Sequence, residues 1–153
     1  MNIIMKSVTH TKAFEITQPV EKMFPLFTPE GEKLWIPDWD YVNIMGTTEL
    51  SENYVFITGS NEDKTNKSVW IVKKYEPETY FVQYYKIEPM DKIGVVTVSC
   101  TGIGSDKTRV EVTYKYVALS TTGEKFLSEF SYSAYEAYIC NWKKLITNYF
   151  QSI

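Results

Sequence analysis

Between Tyr41 and Leu119 the chain falls into six short runs rich in β-branched and aromatic residues, 41–49, 53–59, 67–75, 79–88, 92–101 and 108–118, and this rhythm constrains the fold more than any other feature. Turn-forming clusters separate them: Asn61-Glu62-Asp63-Lys64, Glu76-Pro77-Glu78, Pro89-Met90-Asp91 and the stretch from Gly102 to Asp106. Strands of this spacing form an antiparallel meander. In the last run Val110, Val112, Tyr114 and Tyr116 alternate with Glu111, Thr113 and Lys115, which sets one face on a core and the other in water. A further run, 5–17, reads as a first strand leading to a proline.

The segments flanking the meander have a helical period. Val20, Met23, Phe24 and Phe27 share one helix face behind Pro19, and Pro25 limits that helix to a short or kinked piece. Thr28 then supplies an N-cap hydroxyl, Pro29 a first helical position, and Glu30 and Glu32 two carboxylates for the positive end of a second short helix that stops before Pro37. Residues 121–151 read as one long helix of roughly 45 Å at ~1.5 Å per residue, opened by a capping box of Thr121 and Glu124. Its apolar arc runs through Phe126, Leu127, Phe130, Ala134, Ala137, Tyr138, Asn141, Leu145 and Tyr149, which predicts Phe130, Ala134 and Asn141 facing the strands. The order of elements gives one α+β domain over 1–153, with a seven-stranded sheet that must curl to bury its inner face. One helix cannot fill that curvature, so a cavity is expected between sheet and helices.

Composition excludes several function classes. The 153 residues carry a net charge of −3 with no run of Lys or Arg, which argues against a nucleic-acid footprint. No eighteen uncharged apolar residues run together and the first residues lack a signal-peptide stretch, so a soluble cytoplasmic protein, monomeric or weakly dimeric, is the expectation. Cys100 and Cys140 lie far apart with no CxxC and read as buried, reduced thiols, with neither a disulfide nor a metal cage.

The order of elements, together with "FPLFTPEGEKLWIPDWDY", "VWIVKKYEPETYFVQYYKIEP", "VTYKYVALSTTGEKFL" and a helix carrying "YICNWKKLI", resembles the helix-grip (SRPBCC) superfamily of START lipid-transfer domains, the birch pollen allergen and polyketide cyclases. Within it the TP-x-G-E-x-x-W-x-P-x-W run resembles small bacterial members of unassigned function. Asp38 stands where those sequences often have glycine. The resemblance implies a seven-stranded curved antiparallel sheet wrapped around the long C-terminal helix, with two short helices after the first strand. It also implies a cavity with Trp35 and Trp39 at one mouth, as gates for a ligand or as plugs of the sheet's open end.

A catalytic inventory is thin by contrast. His10 is the only histidine and reads as solvated, no G-x-S-x-G, H-E-x-x-H or paired-carboxylate motif occurs, and Gly102 to Asp106 is a hairpin turn rather than a phosphate loop. Glu30 and Glu32 read as dipole partners of their helix. The candidate ligand-binding residues are Trp35, Trp39, Trp70, Tyr84, Val112, Tyr114, Phe130, Ala134, Tyr138 and Asn141, with no cofactor and no metal implied. Three functions remain open: binding of a small hydrophobic or amphipathic molecule (lipid or polyketide-like), a cyclase or aromatase acting on such a molecule, and a chaperone-interaction module.

Overall fold

The computed structural model describes residues 6–59 and 67–153. Strand β1 (Ser7–Ile16) leads into α1 (Val20–Met23), a 3₁₀ turn (Phe24–Phe27) and α2 (Pro29–Glu32). Then follow β2 (Val55–Thr58), β3 (Ser68–Glu76), β4 (Phe81–Glu88), β5 (Lys92–Ile103) and β6 (Lys107–Ala118), and after them α3 (Thr121–Glu129) and α4 (Tyr132–Gln151). The strands form one curved antiparallel sheet in the order β1-β6-β5-β4-β3-β2, so the first strand closes against the last. The turn cluster at residues 61–64 lies outside the described residues.

Among the described residues the sheet has six strands, not the expected seven, because 41–49 does not pair. Val42 makes only an isolated bridge to Ile57, while Asn43 Oδ1 accepts from the Gly46 amide at 3.0 Å and Thr47 Oγ1 from the Glu49 amide at 3.1 Å. Short polar side chains there satisfy the backbone locally and compete with a ladder.

The long helix is broken as well. At Phe130 the backbone leaves the helical region, α3 ends, and Ser131 caps α4 by accepting from the Ala134 amide. The N-cap of α3 is Ser120, one residue ahead of the expected Thr121. The break resets the phase: α4 buries Tyr135, Ile139, Trp142 and Ile146, while Ala134 and Asn141 are exposed rather than facing strands. Phe130 is half-buried, as expected of a residue on the sheet side.

Register organises the inner face of the sheet into rows. Cys100, Val110 and Phe14 form one row and Val98, Val112 and Lys12 the next. A third crosses β3 to β1 through Val72, Tyr84, Val96, Tyr114 and His10. The fourth runs Phe56, Trp70, Lys86, Gly94, Tyr116 and Val8. The first two rows carry the sealed valines Val98, Val110 and Val112, whereas the last two carry the rings of Phe56, Trp70, Tyr84, Tyr114 and Tyr116. His10 is thereby an inner-face residue and not solvated: its Nε2 donates to the Phe130 carbonyl at 2.7 Å and its ring stacks on Tyr135. Both thiols are free; Cys100 is buried, its pKa pushed up to about 12 by desolvation, whereas Cys140 is exposed.

Candidate ligand-binding cavity

The stretch 27–41 folds back on itself through its own large side chains. Thr28 caps α2 by accepting from the Gly31 amide at 3.1 Å and donates its own hydroxyl to the Pro25 carbonyl at 2.8 Å. Trp35 Nε1 donates to the Leu26 carbonyl at 2.7 Å and Trp39 Nε1 to the Pro29 carbonyl at 2.8 Å, so each indole ties the descending loop to the helical segment before it. Tyr41 donates a short hydrogen bond to Glu30, which also pairs with Lys33 at 2.9 Å; the Tyr41 bond and then Lys33 hold the Glu30 carboxyl below its usual range. Asp38 has φ of 58°, left-handed backbone that favours glycine but that Asp tolerates better than most residues. The loop makes the same kind of turn that glycine would serve.

This knot forms one wall of a cavity of about 310 Å³. The opposite walls are the third and fourth rows of the sheet (Phe56, Trp70, Tyr84, Lys86, Val96 and Tyr114), and Tyr138 and Trp142 of α4 close the side. The volume sits at the low end of the ~300–1,000 Å³ typical of small-molecule sites. Ring packing makes the walls rigid: Trp70 stacks on Phe56 at 5.6 Å with an interplanar angle of 6° and meets Tyr84 edge-on at 5.8 Å. Tyr84 donates its hydroxyl to the Phe27 carbonyl at 2.7 Å, which fixes the sheet to the helical segment across the cavity floor.

Glu32 and Lys86 stand among the charged or chargeable side chains that line this aromatic space, with Asp38, Asp40 and Glu88. Glu32, at the end of α2, is half-buried and lines the cavity, and no hydrogen bond or ion pair reaches its carboxyl among the described residues. Burial alone raises its pKa to about 8, so it is largely neutral at pH 7. Lys86 stands in the fourth row with its ammonium 5.4 Å from the Trp70 ring centroid. Desolvation opposes its charge, but the Tyr116 hydroxyl, Glu88 and Tyr138 outweigh that and hold its pKa above the ordinary lysine value. Tyr116 reaches Lys86 across Gly94, where a Cβ would lie 2.8 Å from Tyr116 Cε1, so glycine is what lets the ring lean over the sheet. Next to this site Lys92 is buried and paired with Asp91 at 3.0 Å and Glu88 at 3.2 Å, its ammonium 3.9 Å from the Phe126 centroid.

Of the residues singled out from sequence, Trp39, Trp70, Tyr84, Tyr114 and Tyr138 stand together on the cavity wall. Trp35 is 5% exposed and packs between Phe27 and Trp142, in the core beside the cavity. Val112 is sealed, its carbonyl accepting a short hydrogen bond from Tyr135. Phe130 packs on Tyr116 and Phe126, away from the lining, and Ala134 and Asn141 are exposed. Glu32, Phe56, Lys86 and Trp142 are wall residues that the sequence reading did not nominate. Phe56, Trp70 and Lys86 are cross-strand partners, a relation visible only once register is known.

No protein-family model matches the chain, and no curated protein matches it in sequence. Solved structures do match in fold. Norcoclaurine synthase from Thalictrum flavum, in complex with dopamine and hydroxybenzaldehyde, superposes with a TM-score of 0.64 at 11% identity over 93% of this chain and 87% of that one. Ara h 8.0201 gives 0.60 at 12% identity over 88% of this chain and 99% of that one. The di-domain ARO/CYC protein BexL of the BE-7585A biosynthetic pathway gives 0.65 at 10% identity over 94% of this chain, which spans 47% of the BexL chain. The chain therefore has the helix-grip fold that the resemblance implied. No helix among the described residues is long and apolar enough to cross a membrane.

Proposed function

We propose that the protein binds a small amphipathic molecule in the cavity between sheet, α4 and the 36–40 loop. The observation that carries this reading is the combination of about 310 Å³ of ring-lined space with two ionisable side chains, Glu32 and Lys86, that form no ion pair among the described residues. A plain core would fill the volume with aliphatic side chains and exclude both groups, since a buried polar group without a partner costs stability. The helix-grip neighbours support it in kind, one of them carrying small aromatic molecules in its structure.

A second reading, catalysis on the bound molecule, draws on one observation. Glu32, with its pKa raised to about 8, is a carboxyl poised to give or take a proton near neutrality.

The test separates wall from core. N-phenyl-1-naphthylamine, an uncharged fluorescent probe, is titrated into wild type, Trp35→Phe and Trp39→Phe, and thermal unfolding of each is followed. Trp39→Phe is expected to weaken probe binding with little change in melting temperature. Trp35→Phe should lower the melting temperature, through lost packing on Phe27 and Trp142 and the lost bond to Leu26, and leave affinity near wild type. An absence of saturable binding in the wild type sinks the reading.

A further inference from the structure

We propose that the cavity selects ring-containing ligands with one acidic head group, a carboxylate or similar monoanion, and that Lys86 is the side chain that pairs with it. This rests on the binding reading above and narrows it to a ligand class.

Other lysines on the inner face of the sheet have carboxylate partners. Lys12 pairs with Glu136 at 3.1 Å, and Lys92 is enclosed by Asp91 and Glu88. Lys86 has no ion pair among the described residues, although it is the only Lys, Arg or His among the described wall residues of the cavity. Its surroundings are a tryptophan face, the Tyr116 hydroxyl and Tyr138. A half-buried ammonium left with aromatic faces and phenols is stabilised less than one with a carboxylate, and a ligand anion would supply the missing partner.

The acidic groups around the cavity do not take that role. Glu88, two residues along β4, faces Lys86 but lies 3.2 Å from Lys92. Asp40 accepts from the Gly59 amide at 3.0 Å, and Asp38 is exposed on the loop at the mouth. Glu32 lies by Tyr84 and Tyr114, in the neighbouring row, and is mostly uncharged at pH 7, so it repels an incoming anion little and can donate a hydrogen bond to its oxygen. At that pH Lys86 and Glu32 can both donate a hydrogen bond into the cavity. Gly94 completes the arrangement: by letting Tyr116 cross to Lys86 it holds the ammonium in one place rather than leaving it to sweep the mouth.

Three competitors with one ring system and different heads decide the matter: 2-naphthylacetate, 2-(2-naphthyl)ethanol and 2-(2-naphthyl)ethylamine, each displacing N-phenyl-1-naphthylamine at pH 7. The wild type should prefer the carboxylate to the alcohol by roughly tenfold, the scale of a charge-assisted hydrogen bond, and the amine should bind weakest. Lys86→Met should erase the preference for carboxylate over alcohol, and Lys86→Arg should retain most of it. Equal binding of acid and alcohol overturns the proposal, as does a preference for the amine, which would assign the head group to Glu32. A Lys86→Met variant that weakens all three ligands alike also overturns it. Should Lys86→Met fail to fold, the ranking of the three heads by wild type alone decides. Saturable probe binding without a carboxylate preference leaves the binding reading standing and removes only the choice of ligand class.

Discussion

Glu30 and Glu32 share the short helix α2, yet their carboxyls lie in different surroundings. In the string Thr28-Pro29-Glu30-Gly31-Glu32 both carboxylates suit the start of a helix, and Glu30 behaves that way, bound by Tyr41 and Lys33. Two residues on, α2 has turned far enough to point Glu32 into the cavity, which only the packing of α2 on the sheet reveals. A pH dependence follows. An ordinary Glu titrates near 4.5 and this one near 8, so between those values the unfolded chain has released a proton that the folded chain still holds. Raising the pH through that window therefore favours unfolding, and this group's penalty is fully developed above about 8, on the order of a few kcal/mol at most. Denaturant melts of wild type and Glu32→Gln at pH 5, 7 and 9 should show the variant gaining on wild type as the pH rises. Parallel pH profiles would mean that Glu32 reaches water. The tryptophans divided the other way: four aromatic candidates besides Trp39 reached the cavity, while Trp35, drawn from the same sequence run, is held in the core by its bond to Leu26.

At the scale of elements, alternation and turn chemistry located β1 and β3 to β6 to within about two residues, because each strand buries one face and declares it every second residue. Failures occurred where local hydrogen bonding competes with the pattern, at 41–49 and at the break between α3 and α4. Ser131 looks like any exposed helix residue in the sequence, yet as an N-cap it restarts the helix and rotates its apolar arc from Ala134 and Asn141 to Tyr135 and Trp142. Helix α3 is fixed by close backbone approach: the Gly123 Cα faces the Asp91 carbonyl so tightly that a Cβ would lie 2.1 Å from its oxygen, and the same oxygen accepts from the Leu119 amide at 2.8 Å. Gly123→Ala should thus lever α3 off the β4–β5 turn and disturb the contact between Phe126 and Lys92. A loss of about 1–3 kcal/mol is expected by chemical denaturation, the usual range for overpacking. A variant as stable as wild type would show that α3 shifts freely and that the clamp is unimportant.

For the whole molecule, the helix-grip architecture was legible because element order and the sheet's need to curl leave few arrangements, whereas the wall of the cavity depends on register, which no single segment encodes. The sheet order has a kinetic side. Ser7 pairs with Val117, so β1 cannot find its partner until nearly the whole chain is available, while β5 and β6 meet through a tight turn. Pairing at such sequence separation is slow to form because the loop must be closed before any contact rewards it. Refolding on the millisecond-to-second scale is expected, with the β5–β6 hairpin formed early: Val98→Ala and Val112→Ala should slow refolding, and Phe14→Ala on β1 should mainly hasten unfolding. Equal slowing by all three in stopped-flow chevrons would contradict that order. If β1 docks last, α4, which brings Tyr138 and Trp142 to the side of the aromatic chamber, lacks the strand it packs on during most of the folding reaction, since His10 and the Phe130 junction it holds are set only when β1 arrives. A bound molecule would then leave the folding limb of the chevron unchanged and act as a brake on unfolding, lengthening the lifetime of the native state without speeding its birth.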